Sequence, residues 1–121
     1  MSVNGADPAD RVTSYAVDEQ GIALVRLERP KARNAMSTQL LAELLEHISV
    51  ARGDEAVRVL VFSSSDPLSL SAGGDVREQL DDEGKVARMQ LFADLYDQVV
   101  AFPKPTVAAC HGDVVGGGAE I

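Results

Sequence analysis

Gly112-Asp113-Val114-Val115-Gly116-Gly117-Gly118-Ala119-Glu120-Ile121 follows His111 and the short apolar run Thr106 to Cys110. A strand-like run that gives way to glycines and then to a helix-like start reads as a strand-to-helix junction of an α/β fold. The first N–H groups of a helix have no intrahelical acceptor, and the aligned peptide dipoles favour negative charge there. Glycine in such a corner lets the backbone approach a ligand that a side chain would hold off. Ser71-Ala72-Gly73-Gly74-Asp75 forms a second corner of the same kind, with Asp75 expected to cap a short helix. Two N–H groups converging from such corners make an oxyanion hole, a preorganised site for a carbonyl oxygen that becomes negative.

Glu120 lies three residues after Gly117. In a helix that begins at the glycines, its carboxylate projects on the side of the Gly117 N–H, placing an acid/base group beside the donor. On this motif alone the blander account holds, in which the glycines form a flexible turn and Glu120 is a solvated first-turn carboxylate.

Outward from the corners, the chain alternates strands and helices. Residues 1–10 show no period and read as a loose tail, leaving 11–121 as one core domain. Arg11 to Asp18 and Ile22 to Leu27 read as a hairpin with Gly21 in the tight connection, and Arg29-Pro30 closes the second strand. Leu40, Leu41, Leu44, Leu45 and Ile48 recur at helical spacing after Ser37, a natural N-cap, and Gly53 stops that helix. Val57 and Val59 to Phe62 form a nearly continuous apolar run, expected to be a strand buried on both faces. Ser63 to Gly74 reads as a long polar loop. Lys85 to Ala101 reads as a second amphipathic helix, with Val86, Met89, Phe92, Tyr96, Val99 and Val100 on one side and Pro103 and Pro105 after it. The unfinished pattern at Ile121 leads us to expect that the functional fold needs further residues.

Composition narrows the function. Among 121 residues the hydrophobic share is 45%, enough for a single small core. A net charge of −8 disfavours nucleic acid and anionic membrane surfaces as partners. The lone Cys110 has no partner for an internal disulfide and is expected to be a small buried residue of an intracellular protein. One Cys and two distant His give no metal-ligand spacing, so no metal site is expected. No stretch reaches the ~18–20 apolar residues of a bilayer span, and the N-terminus carries no basic-then-apolar signal. A cytoplasmic location is the expectation. Arg29-Pro30-Lys31-Ala32-Arg33-Asn34-Ala35-Met36 concentrates three cations in this acidic chain, a patch suited to a small phosphorylated ligand or simply to balancing nearby acids.

Taken in order, these segments resemble the crotonase (enoyl-CoA hydratase/isomerase) superfamily over residues 12 to 121. Arg29-Pro30-x-x-x-Asn34-Ala35-Met36 is similar to its R-P-x-x-x-N-A-[LM] segment. Ser71-Ala72-Gly73-Gly74-Asp75-Val76 is similar to its S-A-G-x-D-[LIV] loop, and Gly112-x-x-x-Gly116-Gly117-Gly118-x-Glu120-Ile121 to its G-x-x-x-G-G-G-x-E-[LI] segment. The resemblance implies a crotonase-like spiral of ββα units, incomplete at the C-terminus, that forms a trimer or a dimer of trimers. It implies that the Gly74 and Gly117 N–H groups bind a thioester oxygen and that Glu120 is the first of two hydratase glutamates. It also implies that Arg29, Lys31 and Arg33, with backbone near Ala72, contact the coenzyme A part of an acyl-CoA substrate. Coenzyme A enters as part of the substrate, with no separate cofactor. Enoyl-CoA hydration is the leading expectation; double-bond isomerisation, and a non-catalytic fragment that binds CoA esters or associates with other subunits, are the alternatives. By the same resemblance, helix Lys85 to Ala101 lines the acyl pocket. Leu70 and Leu68 depart from the family's usual aromatic and lysine, and His111 from its usual asparagine. His111 is expected to be a hydrogen-bonded turn or core residue.

Overall fold

In the computed structural model, residues 10–121 are described. The expected loose tail, residues 1–10, lies outside them apart from Asp10. Elements follow the order β1 (Thr13–Val17), β2 (Ile22–Leu27), α1 (Thr38–Gly53), β3 (Val59–Ser64), β4 (Ser69–Ser71), α2 (Asp82–Val100), β5 (Thr106–Ala108) and β6 (Asp113–Val114). Two ββα units are thus followed by a third strand pair, which ends in a single 3-10 turn, Gly116–Gly118. One sheet has the order β1-β2-β3-β5, and a two-stranded sheet pairs β4 with β6.

The hairpin forms as expected. β1 and β2 pair antiparallel, from Thr13 opposite Leu27 to Val17 opposite Ala23. Gly21 takes φ +84° in the connection, where a Cβ would collide with the Ala56 carbonyl oxygen at 2.6 Å. β2, β3 and β5 run parallel, and α1 makes the crossover between the first two. Ser37 caps α1, its hydroxyl accepting from the Leu40 N–H at 3.2 Å. Leu40, Leu41, Leu44 and Ile48 are wholly buried against Ala23, Val25 and Leu27 of β2 and Leu60 and Phe62 of β3.

Several expectations are corrected. β3 is buried on one face only: Leu60, Phe62 and Ser64 point into the core while Val59, Val61 and Ser63 are half-exposed. An apolar run does not by itself report what covers its second face. α2 begins earlier than Lys85, capped by Asp81, whose side chain accepts from Gly84 N at 2.7 Å. Its apolar side is only partly used. Leu95 is buried and Leu91, Phe92, Tyr96 and Val99 pack against the core, but Val86, Met89 and Val100 are exposed. Cys110 is exposed rather than buried, two residues beyond β5, an edge strand whose three residues are all exposed. The polar loop Ser63 to Gly74 is partly ordered, containing the end of β3 and the buried β4. No described helix is long and apolar enough to cross a membrane.

Candidate active site

Three segments far apart in sequence meet around Asn34. Arg33 and Asn34 both adopt left-handed φ of 54°, turning the chain sharply after the 3-10 turn Pro30–Ala32. That turn buries the Asn34 side chain, which accepts from Arg29 N at 2.7 Å and donates to Ser64 Oγ at 2.6 Å and the Leu70 carbonyl at 3.0 Å. Ser71 Oγ donates to the Asn34 carbonyl at 2.8 Å. A main-chain ladder continues the junction: Ala72 N to Arg33 O at 2.9 Å, Met36 N to Gly73 O at 2.7 Å, and Asp75 N to Met36 O at 3.2 Å. The first glycine corner is therefore clamped on one side by the cationic segment.

On its other side lies the second corner. β4 and β6 pair parallel, with Asp113 N donating to Leu68 O at 3.0 Å and Val115 N to Ser71 O at 3.1 Å. Gly73, at φ +92°, faces this strand so closely that a Cβ there would lie 3.0 Å from Val115 O and 3.6 Å from Gly117 N. The Gly73–Gly74 corner thus lies beside the Gly116–Gly117 corner. Among the described residues, neither the Gly74 nor the Gly117 N–H donates a hydrogen bond to another main-chain group.

Two details of the corners differ from expectation. Asp75 caps no helix. Its Oδ1 accepts from Arg77 N at 2.9 Å in a local turn, and its Oδ2 accepts from Arg29 Nη1 at 2.7 Å. Burial opposes ionisation of Asp75, but the Arg29 hydrogen bond, the Arg77 N–H and the Arg29 charge outweigh it and hold the carboxyl below its usual range. The glycine run makes a 3-10 turn rather than an α-helix, so Glu120 is exposed, tied back through its N–H to Gly117 O at 3.3 Å.

The cationic residues separate by location. Lys31, Arg33, Ala72 and Gly74 line one open cavity of about 340 Å³, together with Arg77. Arg29 lines a neighbouring cavity of about 380 Å³ with Ser37, Gln39 and Glu78, and Ala32, Asp75 and Arg77 border both. Arg29 is already engaged, its Nη1 donating to both Asp75 and the Ala35 carbonyl at 3.0 Å. Gly117 and Glu120 are not on the walls of either cavity. His111 is a hydrogen-bonded loop residue, its Nε2 donating to the Asp66 carbonyl at 2.6 Å.

Sequence reasoning missed Arg77 and the approach of the Phe92 and Tyr96 side chains of α2 to the glycines. Arg77 sits two residues past the first corner, but nothing local indicates which way that turn points. Phe92 approaches both glycines: a Cβ on Gly74 would lie 3.7 Å from its Cζ, and one on Gly117 only 2.6 Å from its Cε1. The Tyr96 hydroxyl donates to Gly117 O at 3.5 Å. Burial first, then hydrogen bonding and charge from Glu120, push the Tyr96 pKa up to about 12.

The profile of the enoyl-CoA hydratase/isomerase family matches residues 17–121 of this chain. The chain belongs to that family. It is 38% identical over 116 residues to the mouse protein named enoyl-CoA hydratase domain-containing protein 2, mitochondrial, covering 94% of this chain and 39% of that relative. The human protein of the same name is 38% identical over 113 residues, covering 92% and 39%. A solved enoyl-CoA hydratase of Mycobacterium smegmatis superposes with a TM-score of 0.77 at 29% identity, over 85% of this chain and 41% of that one. An enoyl-CoA hydratase of Bacillus anthracis, 23% identical, shares the fold with a TM-score of 0.85 over 91% and 43%. The crotonase-like fold is therefore present, and the chain spans about two fifths of the length of the relatives it matches.

Proposed function

We propose that this chain carries the oxyanion hole of an acyl-CoA thioester enzyme, with enoyl-CoA hydration as its reaction. The supporting observation is the closeness of the Gly73–Gly74 and Gly116–Gly117 corners, whose Gly74 and Gly117 N–H groups have no main-chain acceptor among the described residues. Both amides hydrogen-bond the thioester carbonyl oxygen. As water adds at C3 of the enoyl group, the electrons of the 2,3 double bond move onto that oxygen, and the amides stabilise the resulting enolate. Collapse of the enolate takes a proton at C2, and Glu120 serves in this acid/base exchange.

Lys31, Arg33 and Arg77 around the 340 Å³ cavity supply charge for the phosphates of coenzyme A, beside the Ala72 backbone. Arg29 contributes by bracing Asp75 and the Ala35 carbonyl, which fixes the loop that presents Lys31 and Arg33. The same family reading carries assembly into a trimer or a dimer of trimers, measurable by sedimentation.

The test uses crotonyl-CoA for turnover and butyryl-CoA, which has no double bond to hydrate, for binding. Glu120→Gln is expected to lower turnover by about 100-fold or more while butyryl-CoA binds within a few-fold of the parent protein. Unchanged turnover removes Glu120 from the mechanism. Failure of the parent protein to bind butyryl-CoA removes the thioester reading.

A further inference from the structure

We propose that Arg88 is a positioning residue of this site, its guanidinium holding the main chain that presents the Gly74 amide. The proposal rests on the thioester reading above and adds to it a side chain of α2 that touches no reacting atom.

Met36 pins the first corner from one side, its N–H donating to Gly73 O at 2.7 Å and its carbonyl accepting from Asp75 N at 3.2 Å. Across a trans peptide the N–H points opposite to the carbonyl, so the Gly74 N–H faces away from Met36. The Asp75 carbonyl, at the next peptide but one, is held from elsewhere: Arg88 Nη1 donates to it at 2.6 Å. The same nitrogen has a second hydrogen, and it also donates to Glu78 Oε1 at 3.2 Å. Glu78 is itself anchored at the start of α1, where Oε1 accepts from Thr38 N at 3.1 Å and Thr38 Oγ1 at 3.0 Å. The dipole of that helix favours a carboxylate there. One nitrogen of Arg88 thus joins α1, α2 and the corner.

The other groups that grip Asp75 do not make this connection. Arg29, which holds the carboxylate, and Met36, which holds the N–H, both belong to the cationic segment. Arg88 brings in α2, whose next turn carries Phe92 on the same face. The Phe92 ring reaches the Cβ positions of both corner glycines, at 3.7 Å for Gly74 and 2.6 Å for Gly117. Fastening the first corner to α2 therefore fixes it against the element that packs on the second. A donor amide serves an enolate only when held within about 0.5 Å of its productive place. Arg88 stands on the walls of neither the 340 Å³ nor the 380 Å³ cavity, so its charge serves the loop and not the coenzyme A phosphates.

Arg88→Gln removes the guanidinium and keeps a good helix former. In the folded, purified protein, kcat for crotonyl-CoA is expected to fall about tenfold, the worth of one displaced hydrogen bond. Butyryl-CoA affinity should stay within about twofold, because the amide bond gains most of its strength as the oxygen becomes an enolate. A second readout needs no turnover. In butyryl-CoA labelled with carbon-13 at the thioester carbonyl, the infrared carbonyl stretch should drop on binding to the parent protein and return toward the free value in Arg88→Gln. An arginine that only stabilises the fold would leave both kcat and that stretch unchanged, and either result overturns the proposal. Butyryl-CoA binding weakened tenfold would overturn it too, by placing Arg88 on the ligand. Should Arg88→Gln fail to fold, Arg88→Lys carries the test: its nitrogen stops one atom short, kcat should fall about threefold, and parent values overturn the proposal. If the stretch does not drop on the parent protein, the thioester reading itself is overturned and the role of Arg88 falls with it.

Discussion

The Phe92 ring occupies the space that a side chain on Gly117 would need, with Cε1 2.6 Å and Cζ 3.3 Å from the position of a Cβ. Gly117 therefore has a packing reason to be glycine that is independent of any ligand. Gly117→Ala is expected to destabilise the fold by about 1–3 kcal/mol through overpacking. Phe92→Ala in the same protein should relieve much of that strain, making the pair less damaging than the sum of the single variants. Chemical denaturation of the four proteins measures it, and an additive result would show that the ring yields easily.

Asn34 ties the first cationic segment to β3 and β4 while holding a left-handed backbone. Asn34→Ala leaves the buried partners unsatisfied and puts a Cβ-bearing residue without a local hydrogen bond at φ 54°, at an expected cost of roughly 3 kcal/mol or more. Asn34→Gly should be less damaging by about 1 kcal/mol, because only the side-chain bonds are then lost. Equal unfolding midpoints for the two variants would exclude the backbone contribution.

The cations should divide into two classes. Lys31→Ala combined with Arg33→Ala is expected to weaken butyryl-CoA binding and flatten its dependence on salt, leaving the unfolding midpoint unchanged. Arg29→Ala removes bonds to Asp75 and Ala35 O and should lower stability by about 1–2 kcal/mol. Titration calorimetry and denaturation separate the two outcomes; a stable Arg29→Ala protein with weakened binding would place Arg29 on the ligand.

Acid sensitivity should reside in β1 and α1, away from the glycine corners. Thr13 Oγ1 donates to Glu43 Oε1 at 2.6 Å, which leaves it to accept from His47 Nε2 at 2.8 Å. Burial, then the Arg11 charge, lowers the His47 pKa, although Glu46 and Glu43 oppose this. The unfolded chain thus takes up a proton before the folded one as pH falls. Stability from this group is complete above the unfolded value, ~6.5, and is lost as pH falls through it toward the lower folded value. Comparing denaturation at pH 7.5 and pH 5.5, His47→Gln should lose less stability on acidification than the parent. Parallel losses would place the acid sensitivity elsewhere.

Local features of the fold were legible because their causes are local. Ser37 and the spacing of Leu40, Leu41, Leu44 and Ile48 dictate α1, and Gly21 dictates the hairpin. The family resemblance rested on glycines and on Asn34, whose positions the backbone constrains. The same reasoning misjudged Cys110 and the exposed Val86, Met89 and Val100 of α2, since apolar spacing says which residues share a face and not what covers it. Asp75 was misread because its partner, Arg29, lies 46 residues away.

By itself the sequence determined the first hairpin, α1 with its Ser37 cap, and the family, all of which follow from residue types acting over a few positions. Only the tertiary structure decided that Gly73 lies close to Gly116 and Gly117, that Phe92 and Tyr96 face the second corner, and that Arg29 braces a loop while Arg77 joins Lys31 and Arg33. The physical reason is separation. Those relationships depend on hydrogen bonds and packing between segments tens of residues apart, whose mutual distance is set by sheet register and crossover, not by any single stretch of chain.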